Sequence, residues 1–141
     1  EFLEMGAAVK DAEYATAVQY RKDFSTKYRA VLSTVDAFAY PAGVGGAFSI
    51  TREAQYGSMA DSTAARDKFR NSYNPPLGAF LYTYPADLSG TPTITLPVGF
   101  SSDGLPLSMQ IAGQALSEPM LCRIGHAYEE ATGWYKRHPN V

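Results

Sequence analysis

The sequence predicts an α/β protein, because helix-like and strand-like patterns of apolar residues alternate along the chain. Segments near residues 13–32 and 117–134 repeat apolar side chains every three or four positions, which is typical of amphipathic helices. Residues 93–98 and 107–112 instead alternate apolar residues with others, which is typical of strands. With 141 residues, 45% of them hydrophobic, the chain can bury one core.

The first helix is predicted over residues 13–32, with Asp11 as its N-cap. We interpret the charged run "RKDF" within it as a solvated face that carries at most local ion pairs. The next stretch, "VDAFAYPAGVGG", predicts a short buried strand that stops at Pro41 and runs into a glycine-rich loop. The apolar stripe expected to bury this helix consists of Tyr14, Ala17, Val18, Phe24, Tyr28, Val31 and Leu32.

Residues 43–62 lack sustained periodicity, so we predict a functional or mobile loop there. A helix is expected from Ser62, as its N-cap, to about Asn71, and one more short helical turn within "AFLYTYPADL". A final helix is expected to begin at Ser117 and to continue through Trp134.

The two alternating segments predict a hairpin joined by the turn "SSDG", in which Gly104 can take a positive φ. Pro97 has no N–H for a ladder, so we expect a bulge or an unpaired side there. Ser101 and Ser102 are interpreted as turn formers, because no base that could activate a serine nucleophile is evident beside them.

Composition argues against several classes of function. A net charge of −2 without a basic stripe argues against nucleic acid, and no apolar run is long enough to span a membrane. The single cysteine, Cys122, excludes an internal disulfide and argues against a metal site; we expect it to act as a small core residue in a cytoplasmic protein. His126 and His138 are expected at the surface, and the opening "EFLEMG" suggests a chain that begins in mid-protein.

Four linked motifs resemble the C-terminal part of the amidase signature family: "DLSGTP", "LPVGF", "DGLP" and "MQIAG". The segments "DAEYATAVQYR", "VDAFAYPA" and "LCRIGHAYEEATGWYKRHP" are similar to further parts of that family in the same order. The resemblance implies the C-terminal part of an α/β/α sandwich with a mixed central sheet. We therefore expect residues 1–141 to be a single partial domain.

The resemblance implies amide hydrolysis by a lysine and two serines, with a small-molecule amide as substrate and no cofactor or metal. In the family these three residues lie upstream of the part that this chain matches, so we expect no catalytic residue here and no activity from the chain alone. The substrate-pocket candidates follow the first strand or precede "PADLSG": Tyr40, Pro41, Ala42, Gly43, Val44, Tyr82 and Thr83.

Two positions depart from the family pattern, and a third bears on the subfamily. Asp87 stands where the family usually has asparagine and Ala42 where it often has threonine, so the polar contacts of the family's side chains at these positions are not carried over to this chain. Phe80 stands where subunits that use free glutamine carry aspartate, which argues against glutamine as substrate. An alternative from another class is a noncatalytic binding or assembly module, including a homodimer, that pairs through exposed sheet edges.

Overall fold

The computed structural model describes residues 2–43, 46–47, 51–72 and 82–137. The expectations for Val44, Phe80 and His138 fall outside these described residues. In chain order the elements are α1 (Phe2–Ala7), α2 (Asp11–Leu32), β1 (Ala37–Pro41), α3 (Arg52–Tyr56), α4 (Met59–Asn71), α5 (Tyr84–Ser89), β2 (Thr93–Phe100), β3 (Pro106–Gly113) and α6 (Glu118–Thr132), followed by a 3₁₀ turn (Trp134–Lys136). No helix in these ranges is both long and apolar enough to cross a bilayer.

Helix α2 begins one residue away from the predicted cap. Lys10 has extended backbone angles and is the N-cap, whereas Asp11 is already helical. The carboxylate of Glu13 accepts a hydrogen bond of 3.0 Å from the backbone N–H of Lys10. Asp11 and Glu13 both lie in the first turn, where negative charge is favoured by the helix dipole.

The predicted apolar stripe of α2 is buried over only part of its length. Leu32 is 2% exposed, and the rings of Phe24 and Tyr28 stack at a centroid distance of 5.7 Å. Tyr14 and Val31, in contrast, are 67% and 62% exposed. Helical periodicity identified the face correctly, but the other described elements cover only part of it.

The predicted loop at residues 43–62 contains α3 and the start of α4, so that prediction is wrong in part. Helix α4 begins at Met59 rather than near Ser62 because Ser58 provides its cap. The backbone N–H of Asp61 donates to Ser58 Oγ at 3.2 Å, and the N–H of Ser58 donates to Asp61 Oδ2 at 2.8 Å. This reciprocal pair of bonds is a capping box with aspartate in place of glutamate.

The three described strands form an antiparallel sheet in the order β1-β3-β2. The predicted irregularity at Pro97 is confirmed, since the β2–β3 register shifts between Pro97 and Gly99. The turn is also confirmed: Gly104 has φ of 78°, and the backbone N–H of Leu105 donates to Ser101 Oγ at 3.1 Å.

Strand β1 lies at an edge of the sheet, which corrects the prediction of a buried strand. Its only partner among the described strands is β3, and Phe38 is 49% exposed. The short apolar run was interpreted as fully buried because such runs fill central strands. The aromatic residues of this short run instead suit an edge strand, where the rings of Phe38 and Tyr40 stack on each other.

Helix α6 packs on one face of the sheet and forms the core with Leu96, Ile111 and Leu121. Gly125 permits this close approach, since an added Cβ would lie 2.7 Å from Ile94 Cδ1. Strand residues alternate between faces, so Tyr40, which contacts Tyr28 of α2, points away from α6. The antiparallel sheet with helix α6 packed against it, together with the other helices, confirms the predicted α/β class.

The end of α6 and its cysteine differ from expectation. The helix stops at Thr132 because Gly133 takes a left-handed conformation with φ of 64°. Trp134 then packs its ring against Phe100 at a centroid distance of 6.2 Å. Cys122 is exposed and is not a core residue, because the neighbouring Leu121 takes the buried position of that helical turn.

Candidate functional site

The end of β1 is fixed against β3, and this places the predicted pocket loop. Pro41 lies opposite Met109 in the sheet register. One residue further, the backbone N–H of Ala42 donates to the carbonyl oxygen of Ser108 at 3.0 Å. The ladder therefore continues past the strand and carries Gly43 toward the turn end of the β2–β3 hairpin.

A cavity of about 290 Å³ lies at this end of the sheet. Apolar side chains and backbone form most of its wall, and Ser108 is the one hydroxyl-bearing residue among its lining residues. None of its lining residues is a histidine, lysine or carboxylate, so the wall can hold an apolar group but cannot activate a nucleophile. The lining residues are Pro41, Gly43, Val98, Leu107, Ser108 and Met109.

Tyr40 points to the opposite face of the sheet from this cavity and joins an aromatic cluster. Its ring stacks on Phe38 at 5.6 Å and lies 6.5 Å from the ring of Tyr82. The Tyr40 hydroxyl is buried and makes no hydrogen bond of good geometry within the described part of the chain. A buried hydroxyl without a partner carries a desolvation cost.

The pKa of Tyr40 is raised to about 12, mainly by burial and to a smaller extent by the neighbouring Tyr28 and Asp87. Burial also raises the pKa of Tyr28, against a smaller lowering by the Tyr40 hydroxyl. Both phenols therefore stay protonated at neutral pH, and each can donate a hydrogen bond.

The remaining candidates lie at the start of α5. Thr83 is the N-cap residue of α5, and its carbonyl oxygen accepts a 3.3 Å hydrogen bond from the N–H of Asp87. The structure thus brings Tyr40 and Tyr82 together on one face. It places Pro41 and Gly43 at a separate cavity.

Two arginines and a serine of α2 hold the C-terminal end of α5, which corrects the interpretation of "RKDF" as a merely solvated face. Arg21 Nε donates to the carbonyl oxygen of Leu88 at 2.9 Å, and Ser25 Oγ lies 3.1 Å from the same oxygen. Arg29 Nη2 donates to the carbonyl oxygen of Ser89 at 2.7 Å. Cations at a helix C-terminus stabilise its unpaired carbonyls.

The predictions missed two residues beside the candidates. Tyr28, placed only in an apolar stripe, brings its phenol close enough to the Tyr40 hydroxyl to help raise the pKa of Tyr40. Gln110 is paired with Tyr40 across the sheet, and its buried Oε1 has no hydrogen bond within the described residues. The polar glutamine in the otherwise apolar "MQIAG" strand was the one signal in the sequence for this second position.

The described residues contain no group of three or more histidine, cysteine, aspartate or glutamate side chains suited to holding a metal ion. His126 is exposed on α6, as predicted.

The family model described as Amidase matches residues 2–122. The chain belongs to the Amidase family. A putative amidase, AmiD, of Mycobacterium bovis is 33% identical to it over 141 residues, and the match covers 99% of this chain and 26% of AmiD. A glutamyl-tRNA(Gln) amidotransferase subunit of Thiobacillus denitrificans is 31% identical over 131 residues, covering 93% of this chain and 24% of that protein.

Solved structures agree with this Amidase family assignment. The 6-aminohexanoate cyclic dimer hydrolase superposes with a TM-score of 0.69 at 22% identity, covering 97% of this chain and 28% of the hydrolase, and so supports the fold. The glutamyl-tRNA(Gln) amidotransferase subunit of Thermotoga maritima superposes with a TM-score of 0.58 at 26% identity, covering 92% and 25% of the two chains. The chain thus spans about a quarter of the length of the relatives that it matches.

Proposed function

We propose that this chain is the C-terminal segment of an amide-bond hydrolase, in which it forms a single partial domain and one wall of the substrate pocket. The observation that carries the proposal is the cavity lined by Pro41 and Gly43, in a chain that matches the Amidase model over residues 2–122. The cavity has an apolar wall, which suits the carbon skeleton of a small amide rather than its reacting group.

The pocket candidates divide into two roles. The proposal assigns Pro41 and Gly43, with Ala42 between them, to a backbone-rich wall at the cavity. Val44 lies outside the described residues and is kept in this group by its place in the sequence alone. Tyr40 and Tyr82 stand behind this wall with a buried phenol, and Thr83 starts the helix that follows. The proposal assigns the first group to substrate contact and the second to holding the wall in place.

The same proposal assigns the nucleophile and its base to parts of the enzyme other than this chain. In the described residues, Ser108 is the one lining residue with a hydroxyl, and no ionisable side chain lines the cavity to act as a base. We also propose that free glutamine is not the substrate, because Phe80 stands where subunits that use free glutamine carry aspartate.

An assay of the 141-residue chain against simple aryl and alkyl amides tests the division of roles. We expect hydrolysis no faster than in buffer, because positioning without an activated nucleophile leaves the amide intact. A Ser108→Ala variant is the matched control: any activity that survives this substitution comes from elsewhere or from contamination. Turnover that Ser108→Ala abolishes would refute the assignment of catalysis to another part of the enzyme.

A second candidate, a noncatalytic assembly module, is favoured by the open outer edges of β1 and β2 in the described sheet. Exposed edges pair readily with other chains, and a charge placed on them prevents pairing. Light scattering should then show a homodimer that Phe38→Lys converts to a monomer, with Tyr56→Lys on α3 as the exposed control. A monomer at all concentrations would exclude the homodimer.

A further inference from the structure

The charged face of α2 has a second feature besides its hold on α5. A groove of about 510 Å³ runs between α2 and the end of α5, separate from the cavity at Pro41. Its wall includes Arg21, Lys22 and Arg29, and none of its lining residues is acidic. The lining residues from α2 recur every three or four positions, so they form one continuous stripe: Tyr14, Val18, Arg21, Lys22, Ser25, Thr26 and Arg29.

The two guanidinium groups are fixed in place by α5. Arg21 donates its Nε–H to Leu88 and Arg29 one Nη2–H to Ser89, at 2.9 Å and 2.7 Å. A guanidinium has five N–H groups, so each arginine keeps further donors for the groove. Anchoring by the helix end lowers the entropy lost when a ligand is bound.

The third cation, Lys22, has no ion pair or side-chain hydrogen bond among the residues that the structure describes. Its nearest acidic neighbour in sequence, Asp23, instead accepts a 2.9 Å hydrogen bond from Gln19. The Thr26 hydroxyl donates to the carbonyl oxygen of Lys22, and the Ser25 hydroxyl lies within hydrogen-bonding distance of the carbonyl oxygens of Arg21 and Leu88. The groove therefore offers cationic donors and little compensating negative charge.

We propose that this groove binds the phosphate group of a small molecule. Three cations on one wall complement the two negative charges of phosphate better than the single charge of a carboxylate. The tetrahedral oxygens of phosphate also accept hydrogen bonds from several directions at once. The groove volume of about 510 Å³ leaves room for the organic part of a phosphorylated compound. This site is independent of the proposed amide pocket, and its test does not use amidase activity.

Titration of the ¹⁵N-labelled chain with inorganic phosphate at pH 7 and low salt tests the proposal. We expect saturable shifts confined to α2 residues 18–29 and the end of α5, weakening as sodium chloride is added. Lys22→Gln should weaken binding by about tenfold, the usual effect of losing one charge-assisted bond. Lys27→Gln is the matched control, because Lys27 lies on the far side of the same helix and does not line the groove.

A parallel titration with acetate separates phosphate from carboxylate. We expect acetate to bind at least about tenfold more weakly, since it carries one charge and two acceptor oxygens. Equal affinities for the two anions would overturn the assignment to phosphate. Absence of saturable shifts, or equal loss in the Lys22 and Lys27 variants, would overturn the site itself. Far-UV circular dichroism of both variants shows whether each is folded.

Discussion

At the scale of single residues, the Tyr40 hydroxyl is a polar group buried away from water. Its oxygen is buried without a well-formed hydrogen bond in the described region, while its ring is held between Phe38 and Tyr82. The pattern of aromatic residues predicted that Tyr40 and Tyr82 pack or line a pocket. It could not reveal the contact between Tyr28 and Tyr40, because that contact depends on where α2 lies relative to β1.

The raised pKa of Tyr40 makes stability fall at alkaline pH. An unfolded tyrosine ionises near pH 10, whereas Tyr40 holds its proton to about pH 12, so the native state binds the proton more tightly. The contribution of Tyr40 to the free energy of unfolding is therefore fully present below pH 10 and is lost as the pH rises toward 12. Tyr40→Phe should make the loss of stability across this window less steep, as measured by urea unfolding at a series of pH values.

Tyr135→Phe is the control for that experiment, because Tyr135 is 41% exposed and lies on the 3₁₀ turn outside this cluster. The two variants should show different slopes of unfolding free energy against pH between 10 and 12. Identical slopes would show that the surroundings of Tyr40 do not hold its proton.

At the scale of elements, sequence periodicity predicted the long helices and the hairpin, because each has enough repeats to define a face. The bulge at Pro97 and the turn at Gly104 were predictable from backbone chemistry alone. The start of α4 was not, because Ser58 and Ser62 are both plausible caps and only the reciprocal bonds with Asp61 distinguish them. Edge placement of β1 depends on strand order, which no local pattern contains.

The docking of α6 on the sheet depends on Leu121, which is 2% exposed and contacts the core of Leu96 and Ile111. Leu121→Ala should lower the free energy of unfolding by about 3 kcal/mol, through lost burial and the cavity left behind. Urea unfolding measures this loss. Leu116→Ala, at an 88% exposed position just before the same helix, should change it by less than about 0.5 kcal/mol. Equal effects would mean that α6 does not hold the sheet.

At the scale of the whole molecule, the motifs predicted the family, and the match over residues 2–122 shows it. They did not predict that the pocket candidates would separate onto two faces of the sheet. Consecutive residues such as Tyr40 and Pro41 point in opposite directions along a strand, so a range of neighbours cannot all face one pocket. Strand pairing brings Ser108 and Met109 next to Pro41 at the cavity, and the order of residues along the chain does not show this pairing.

The central claim is that the cavity at Pro41 and Gly43 is a wall for an amide substrate, and an NMR titration with hexanamide tests it most directly. We predict shifts at the backbone amides of Gly43, Leu107, Ser108 and Met109, which line the cavity, and a marked loss of these shifts in Gly43→Val, which adds a branched side chain at a lining residue. Gly6→Val, in α1 with open space around it, is the control and should leave them unchanged. Shifts that are absent, that lie elsewhere, or that persist in Gly43→Val would contradict the claim.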